Sequence, residues 1–128
     1  MPAICSAIDL EFLEPRKWRV VRDIVYHHPV TVTVPAGMIT DLASTPRLLW
    51  PILPPTGSYA PAAILHDYLY LEGRLDGEPI TRVRADRLFL AAMRALGVGW
   101  LIRRIVYWGV RIGGWVAWNA HRKHDHAS

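Results

Sequence analysis

The sequence predicts an α+β domain, a small N-terminal antiparallel sheet followed by a helical half with an antiparallel helix pair, and three observations carry that expectation. In the first third, Val30-Thr31-Val32-Thr33-Val34 alternates β-branched residues at period two, the spacing that lines one face of a strand. Beyond Asp41 the apolar residues recur at helical spacing instead. At 128 residues and 52% hydrophobic composition the chain can build one core, whereas two would leave about sixty residues each, where burial is marginal. Residues 1–120 are therefore expected to form a single domain, with 121–128 as a flexible basic, histidine-bearing tail.

Leu10 to Glu14 and Trp18 to Tyr26 carry strand-type residues, joined through Pro15 and Arg16. His27-His28-Pro29 breaks the run before the Val30 to Val34 strand, which Pro35-Ala36-Gly37 ends, and Met38-Ile39-Thr40 adds a short piece. Thr45-Pro46 has the form of an N-cap with proline at the first helical position, opening a short helix over Arg47 to Trp50 that Pro51, Pro54 and Pro55 curtail. Ser58 caps the next helix, Tyr59 to about Glu72, and Gly73 stops it. A polar loop is expected over Arg74 to Pro79, then an amphipathic helix from Thr81 to Leu96 ended by Gly97. Another follows from Trp100 to about Ala120, weakened at Gly113-Gly114.

Charge is divided unevenly. Residues 1–81 hold six Arg and Lys against nine Asp and Glu, while residues 82–128 hold nine against two, and thirteen of the fifteen bases are Arg. Arginine suits phosphate and carboxylate partners, so the basic half could face nucleic acid, a lipid surface or an acidic protein, or simply be a soluble basic surface. Nucleic acid is disfavoured, because the bases are dispersed around apolar helices and the strands offer no exposed aromatic pair. Cys5 stands alone, which excludes an intrachain disulfide and a cysteine-built zinc site and leaves any metal to oxygen or imidazole ligands. The N-terminal segment lacks the basic, apolar and small-residue order of a secretory signal, so a Sec-exported protein is not expected.

Polar residues stand where apolar ones belong. On a helical wheel Val83, Phe89, Leu90, Met93 and Leu96 form one stripe, and Asp86 lies within it, with Arg82, Arg84, Arg87 and Arg94 mostly on the other side. A carboxylate driven inward needs a hydrogen-bonded partner, because isolated burial costs several kcal/mol. On the preceding helix Ala62, Ala63, His66 and Tyr70 share one side, with Asp67 about 100° round from His66. Antiparallel packing would set Asp86 opposite His66 or Tyr70. A carboxylate accepting from one imidazole nitrogen fixes the tautomer and leaves the other as a general base. Asp67, directed elsewhere, could hold a hard divalent ion. The same three residues could equally form a buried polar cross-link between two helices.

Gly37, the stretch Thr40 to Arg47 in the form Thr-Asp-Leu-Ala-Ser-x-Pro-Arg, Gly57 to Tyr70 containing His-Asp-x-Leu-Tyr, and Ala85-Asp86-x-x-Phe89 through Gly97 together resemble the phage and prophage family called domain of unknown function 1353. That resemblance covers about residues 30–100 and implies a tailed-phage or prophage origin. More locally, His66-Asp67-x-x-Tyr70 followed by Asp86 is similar to the catalytic helix pair of phospholipase A2, above all the disulfide-free form in parvovirus capsids. This second resemblance implies a calcium-dependent hydrolase in which His66 activates water, Asp67 binds Ca2+, and Tyr70 and Asp86 brace the imidazole. The glycine-rich calcium loop of those enzymes has no counterpart here; Trp50, Pro51, Leu53 and Pro54 stand in its place. Asp41 and Ser44 could supply substitute oxygen ligands, or cap the helix near Pro46.

Between Val98 and Trp118 apolar residues cover most of the wheel, while Arg103, Arg104 and Arg111 share a narrow sector with Trp100, Tyr107 and Trp118. Three arginines and Gly113-Gly114 oppose membrane spanning, so the helix lies on a membrane, packs beside partner subunits, or is the central core helix with its arginines reaching outward. Two functions remain in view: a small hydrolase, and a non-enzymatic virion, tail accessory or host-interaction protein contacting phage structural proteins. His121, His124 and His126 could bind transition metals adventitiously.

Overall fold

A computed structural model describes residues 4–14, 17–40 and 60–127. The predicted short helix at Arg47 to Trp50, the Ser58 cap and the candidate ligands Asp41 and Ser44 lie outside the described residues. The architecture is α+β, with the strands leading and the helices following. β1 (Leu10–Glu14), β2 (Lys17–Val20), β3 (Ile24–Tyr26), β4 (Val32–Val34) and β5 (Ile39–Thr40) precede α1 (Ala60–Glu72). After it come β6 (Arg74–Leu75), β7 (Glu78–Pro79), α2 (Arg82–Ala95), α3 (Trp100–Gly113) and α4 (Trp115–Ala127).

β1 to β5 form two antiparallel sheets rather than one meander. β2 lies between β1 and β5, with Phe12 opposite Trp18 and Trp18 opposite Thr40; β3 pairs with β4, with Ile24 opposite Val34 and Tyr26 opposite Val32. The predicted strand from Trp18 to Tyr26 is therefore cut at Val21-Arg22-Asp23. The Val21 amide still donates to the Asp9 carbonyl at 2.9 Å, one step beyond the β1–β2 register, and past it the Asp23 carboxylate accepts from the Ala36 amide at 2.8 Å, a side-chain bond where a strand would make a ladder bond. Alternation still selects the inner face: Ile24, Tyr26 and Val34 are buried, Val25 and Thr33 exposed.

α1 is the centre of the fold. Ala62 to His66, Leu69 and Tyr70 are buried, and it packs against α2, α4, β5 and β6. A helix apolar over most of its circumference has to be enclosed. Gly73, at φ 66°, ends it. The expected polar loop then contains a tight hairpin, since Asp76 and Gly77 both take positive φ (53° and 80°) between β6 and β7, the geometry that an Asp-Gly pair favours in a two-residue turn. Thr81 caps α2 by accepting from the Arg84 amide, and Gly97, at φ 81°, closes it.

The long C-terminal helix divides at Gly114, and α4 continues to Ala127 where a solvated tail was expected. A core position for residues 98–118 is not what the structure has either. In α3 only Val106 and Tyr107 are buried, while Trp100, Leu101, Ile105, Trp108 and Ile112 are exposed.

Phe89 is fully buried at the α1–α2 contact, so Phe89→Ala is expected to cost about 3–5 kcal/mol in urea unfolding. Gly97→Ala should cost about 1 kcal/mol, because a Cβ is strained at positive φ. A loss below half of the first value would mean that α2 is not locked to α1 at this point.

Candidate functional site

Antiparallel packing of α1 on α2 brings three of the predicted residues together. Asp86, at 0% exposure, sits on the inward face of α2 as its stripe position requires. Its Oδ1 lies 2.7 Å from His66 Nε2 and accepts from the Tyr70 hydroxyl at 2.6 Å. His66 and Tyr70 stand one turn apart on α1, so a single carboxylate oxygen receives both. The imidazole is stacked on Phe89 at 4.5 Å and tilted against Tyr70 at 4.2 Å between ring centroids, which fixes the plane in which its nitrogens point. With Asp86 ionised and acceptor-only, Nε2 carries the donated proton and Nδ1 holds the lone pair of a neutral imidazole.

The second carboxylate oxygen is taken by arginine. Arg111 Nη1 donates to Asp86 Oδ2 at 2.8 Å, and Arg82 Nη1 approaches it at 3.4 Å. Arg82 thus turns inward, against the wheel that set it with the outward bases; its long stem lets the head reach one turn along to Asp86. The same Nη1 also donates to the Val110 and Arg111 carbonyls at 3.2 and 3.1 Å, in the last turn of α3, where a cation is favoured; the Val110 carbonyl accepts from the Gly114 amide as well, at 2.7 Å. A second arginine does this for α1. Arg122 Nη2 donates to the Tyr70 and Leu71 carbonyls at 2.8 and 2.9 Å, and its guanidinium lies 4.4 Å above the Trp118 ring. Gly73 makes room for it, since a Cβ there would stand 2.1 Å from Arg122 Nη1.

These contacts decide the charge of Asp86. Burial alone would raise its pKa, but the hydrogen bonds from His66, Tyr70 and Arg111 outweigh that and hold the carboxyl below its ordinary value. Burial, together with the bond to Asp86, pushes the Tyr70 hydroxyl far above its usual value, so it stays a donor. Arg111 is held more firmly protonated by its bond to Asp86.

Asp67 is not part of this cluster. It faces β5, where its carboxylate accepts from the hydroxyl of buried Thr40, the residue that precedes Asp41 in the chain. Close by, the Tyr26 hydroxyl donates to the Pro61 carbonyl at 2.6 Å, and burial, with the charge of Asp67 contributing, keeps it protonated. No group of three or more His, Cys, Asp or Glu side chains suited to a metal ion occurs among the described residues.

Arg111 and Arg122 were not legible as site residues, because their positions depend on where α3 and α4 dock. Arg82 was set among the outward bases, although its place one helical turn before Asp86 was a signal that could have found it. Thr40 gave no signal beyond its place at the end of a strand.

Residues 18–110 match the family described as a protein of unknown function, DUF1353, and the chain belongs to that family. No curated protein and no solved structure matches it.

Two outcomes test this arrangement. The Asp86 pKa is lower folded than unfolded, where it is about 3.9, so its contribution is complete above that value and lost as pH falls through the folded one. Melting temperature should therefore drop steeply below about pH 4 in the wild type, and less steeply in Asp86→Asn, which starts about 3–5 kcal/mol less stable because it leaves Arg111 without its charge partner. Parallel acid profiles for the two proteins would refute the ionised state of Asp86. Separately, a Cβ on Gly114 would lie 2.5 Å from the Tyr70 hydroxyl and 2.4 Å from the Val110 carbonyl. Gly114→Ala should accordingly cost about 1–3 kcal/mol by overpacking and, in chemical denaturation, fall short of additivity with Tyr70→Phe.

Proposed function

We propose that this protein is a phage- or prophage-borne hydrolase of the phospholipase A2 type that cleaves a carboxylic ester with His66 as general base. One observation carries the reading: a buried, ionised Asp86 receives both His66 Nε2 and Tyr70 OH, at 2.7 and 2.6 Å, from adjacent turns of one helix. Such an orienter holds the imidazole in one tautomer and stabilises the imidazolium that forms when Nδ1 takes a proton.

In the proposed step Nδ1 removes a proton from water as the water oxygen attacks the ester carbonyl carbon, giving a tetrahedral adduct. Collapse of that adduct breaks the bond to the alcohol oxygen, which takes the proton back from the imidazolium. A carboxylic acid, ionised at neutral pH, and an alcohol leave. Tyr70 and Asp86 act through His66, as positioning residues. Arg111 and Arg82 keep Asp86 an acceptor throughout, so the proton remains on the imidazole rather than passing to the carboxylate.

A calcium ion is part of the proposal. Asp67, Asp41 and Ser44 would hold it, and when bound it would supply Lewis-acid polarisation of the ester carbonyl. The hydrogen bond from Thr40 to Asp67 supports this assignment, because it joins the strand end that precedes Asp41 to the carboxylate following His66. An oxygen-only donor set suits a hard cation.

A second reading has its own observation. His66 is 3% exposed and Asp86 is sealed, as they would be if the cluster only fastened α1 to α2 and α3 in a non-enzymatic virion or tail accessory protein. Fatty-acid release from phosphatidylglycerol and phosphatidylcholine vesicles, measured with calcium and with chelator, separates the two. The hydrolase reading expects calcium-dependent release by the wild type that falls about 100-fold or more in His66→Ala, with Asp67→Asn losing the calcium response. No release by the wild type, or equal release by His66→Ala, leaves the fastening role.

A further inference from the structure

Away from the Asp86 cluster, α2 and α3 enclose a cleft of about 600 Å³, within the usual range of ligand sites. Arg87 and Arg94 enter it from α2, Arg103 and Arg104 from α3, and His28 from the turn before β4. Its apolar wall includes Leu90 and Ala91. Among the described residues no carboxylate lines this cleft and none pairs with any of the four arginines. Arg103 is aimed by its own bond, from Nη1 to the Val98 carbonyl at 3.1 Å. Four guanidinium groups converging without an acid repel one another unless an anion enters, and guanidinium forks match phosphate oxygens.

The cleft borders an uncovered apolar face. Arg104 lies one turn from both Trp100 and Trp108 on α3, and Leu101, Ile105, Trp108 and Ile112 follow the same side of the helix. Trp108 is 56% exposed and Ile112 74%, and the stripe extends into α4 through Trp115 and Val116. At fourteen residues α3 is about 21 Å long, and no helix among the described residues is long and apolar enough to cross a membrane. Tryptophan and aliphatic residues on one side with arginine beside them is the composition of a helix lying in a lipid interface.

We infer that the α2–α3 cleft and the adjoining stripe of α3 dock on an anionic phospholipid bilayer, the arginines holding a headgroup phosphate and the stripe entering the acyl boundary. This goes beyond the hydrolase reading and stands without it, since the cleft shares no residue with the Asp86 cluster. Charge favours this occupant over a second copy of the chain. Residues 99–120 contain three arginines and no acid, so a two-fold pairing of α3 faces would oppose like charges. A nucleic acid would neutralise the arginines and could stack a base on Trp100 or Trp108, but it would leave the aliphatic side chains Leu101, Ile105 and Ile112, which make up much of the stripe, uncovered.

Vesicle co-sedimentation tests this without calcium, so that no hydrolysis is needed, and includes His66→Ala alongside the wild type. Both should bind vesicles containing one-third phosphatidylglycerol and leave vesicles of phosphatidylcholine alone largely unbound, with salt weakening the attachment. Arg94→Gln with Arg104→Gln should lower partitioning about tenfold or more. Ile112→Gln should lower it while leaving its salt dependence in place. Unchanged melting temperatures would confirm that these exposed substitutions leave the fold intact. Equal binding to neutral vesicles, binding that survives the double arginine variant, or no binding overturns the inference. Calorimetric binding of glycerol 3-phosphate as tight as that of vesicles would assign the cleft to a soluble phosphate, and a dimer abolished by Ile112→Gln with no vesicle binding would assign the stripe to a second copy; either outcome displaces the bilayer.

Discussion

A carboxylate with no accessible surface governs how the helices of this protein can be arranged. Asp86 cannot be left ionised among apolar side chains, where the cost of lost hydration is several kcal/mol, so each oxygen must be met. His66 and Tyr70 from α1 meet one and arginines from α2 and α3 the other. Four donors on one anion leave α1, α2 and α3 little freedom to slide or rotate, because any shift that lengthens one bond uncovers charge. A hydrophobic contact at the same place would tolerate such shifts, being non-directional. The hydrogen bonds also reverse the effect of burial on the carboxyl pKa, and so keep Asp86 the acceptor that fixes the imidazole tautomer.

Much of this was legible in the residues, and the reasons are local. Asp86 stood out because an acid on an apolar stripe is a contradiction that packing has to resolve, and His66 and Tyr70 because their spacing is one helical turn. Gly73 and Gly97 ended their helices as glycines at positive φ do. Arg111 could not be found this way: it reaches Asp86 only after α3 folds back along α2, a fact of tertiary placement that no period in the sequence encodes. Asp76-Gly77 is a turn dipeptide that could have marked the hairpin, but the stretch read only as a polar loop. By contrast, the cut between β2 and β3 was hidden, since Val21 carries the strand preference that its neighbours express, and side-chain bonds from Asp23 override it.

Arginine serves three separate ends here, which explains why so little of the basic excess is lysine. In Arg111 it is the charge partner of a buried acid. In Arg82 and Arg122 it closes helix C-termini, where one guanidinium nitrogen donates to two successive carbonyls. In Arg87, Arg94 and Arg104 it remains unpaired with any described carboxylate and faces the cleft. The division follows depth: the first two uses lie at contacts between helices, α1, α2 and α3 at Asp86 and α1 with α4 at Arg122, the third at the rim. The strongly positive C-terminal half of the chain, with nine bases against two acids, supplies all of these arginines.

Reciprocal ties link the buried cluster to the surface cleft. Arg82 of α2 holds the end of α3, while Arg111 of α3 holds Asp86 of α2, so each helix grips the other through a residue that also serves the carboxylate. The cleft lies between these same two helices, and its walls are consequently fixed by the cluster rather than by any ligand. A preformed basic cleft loses less on binding than one that must be assembled, since its side chains already stand on rigid backbone. The same ties carry constraint the other way: force applied to α3 at a bilayer surface would be borne by bonds that end on Asp86, and through it on the position of His66. The proposed attachment and the imidazole geometry would in this way be coupled through the bonds that tie α1, α2 and α3 together at Asp86, even though no residue belongs to both places.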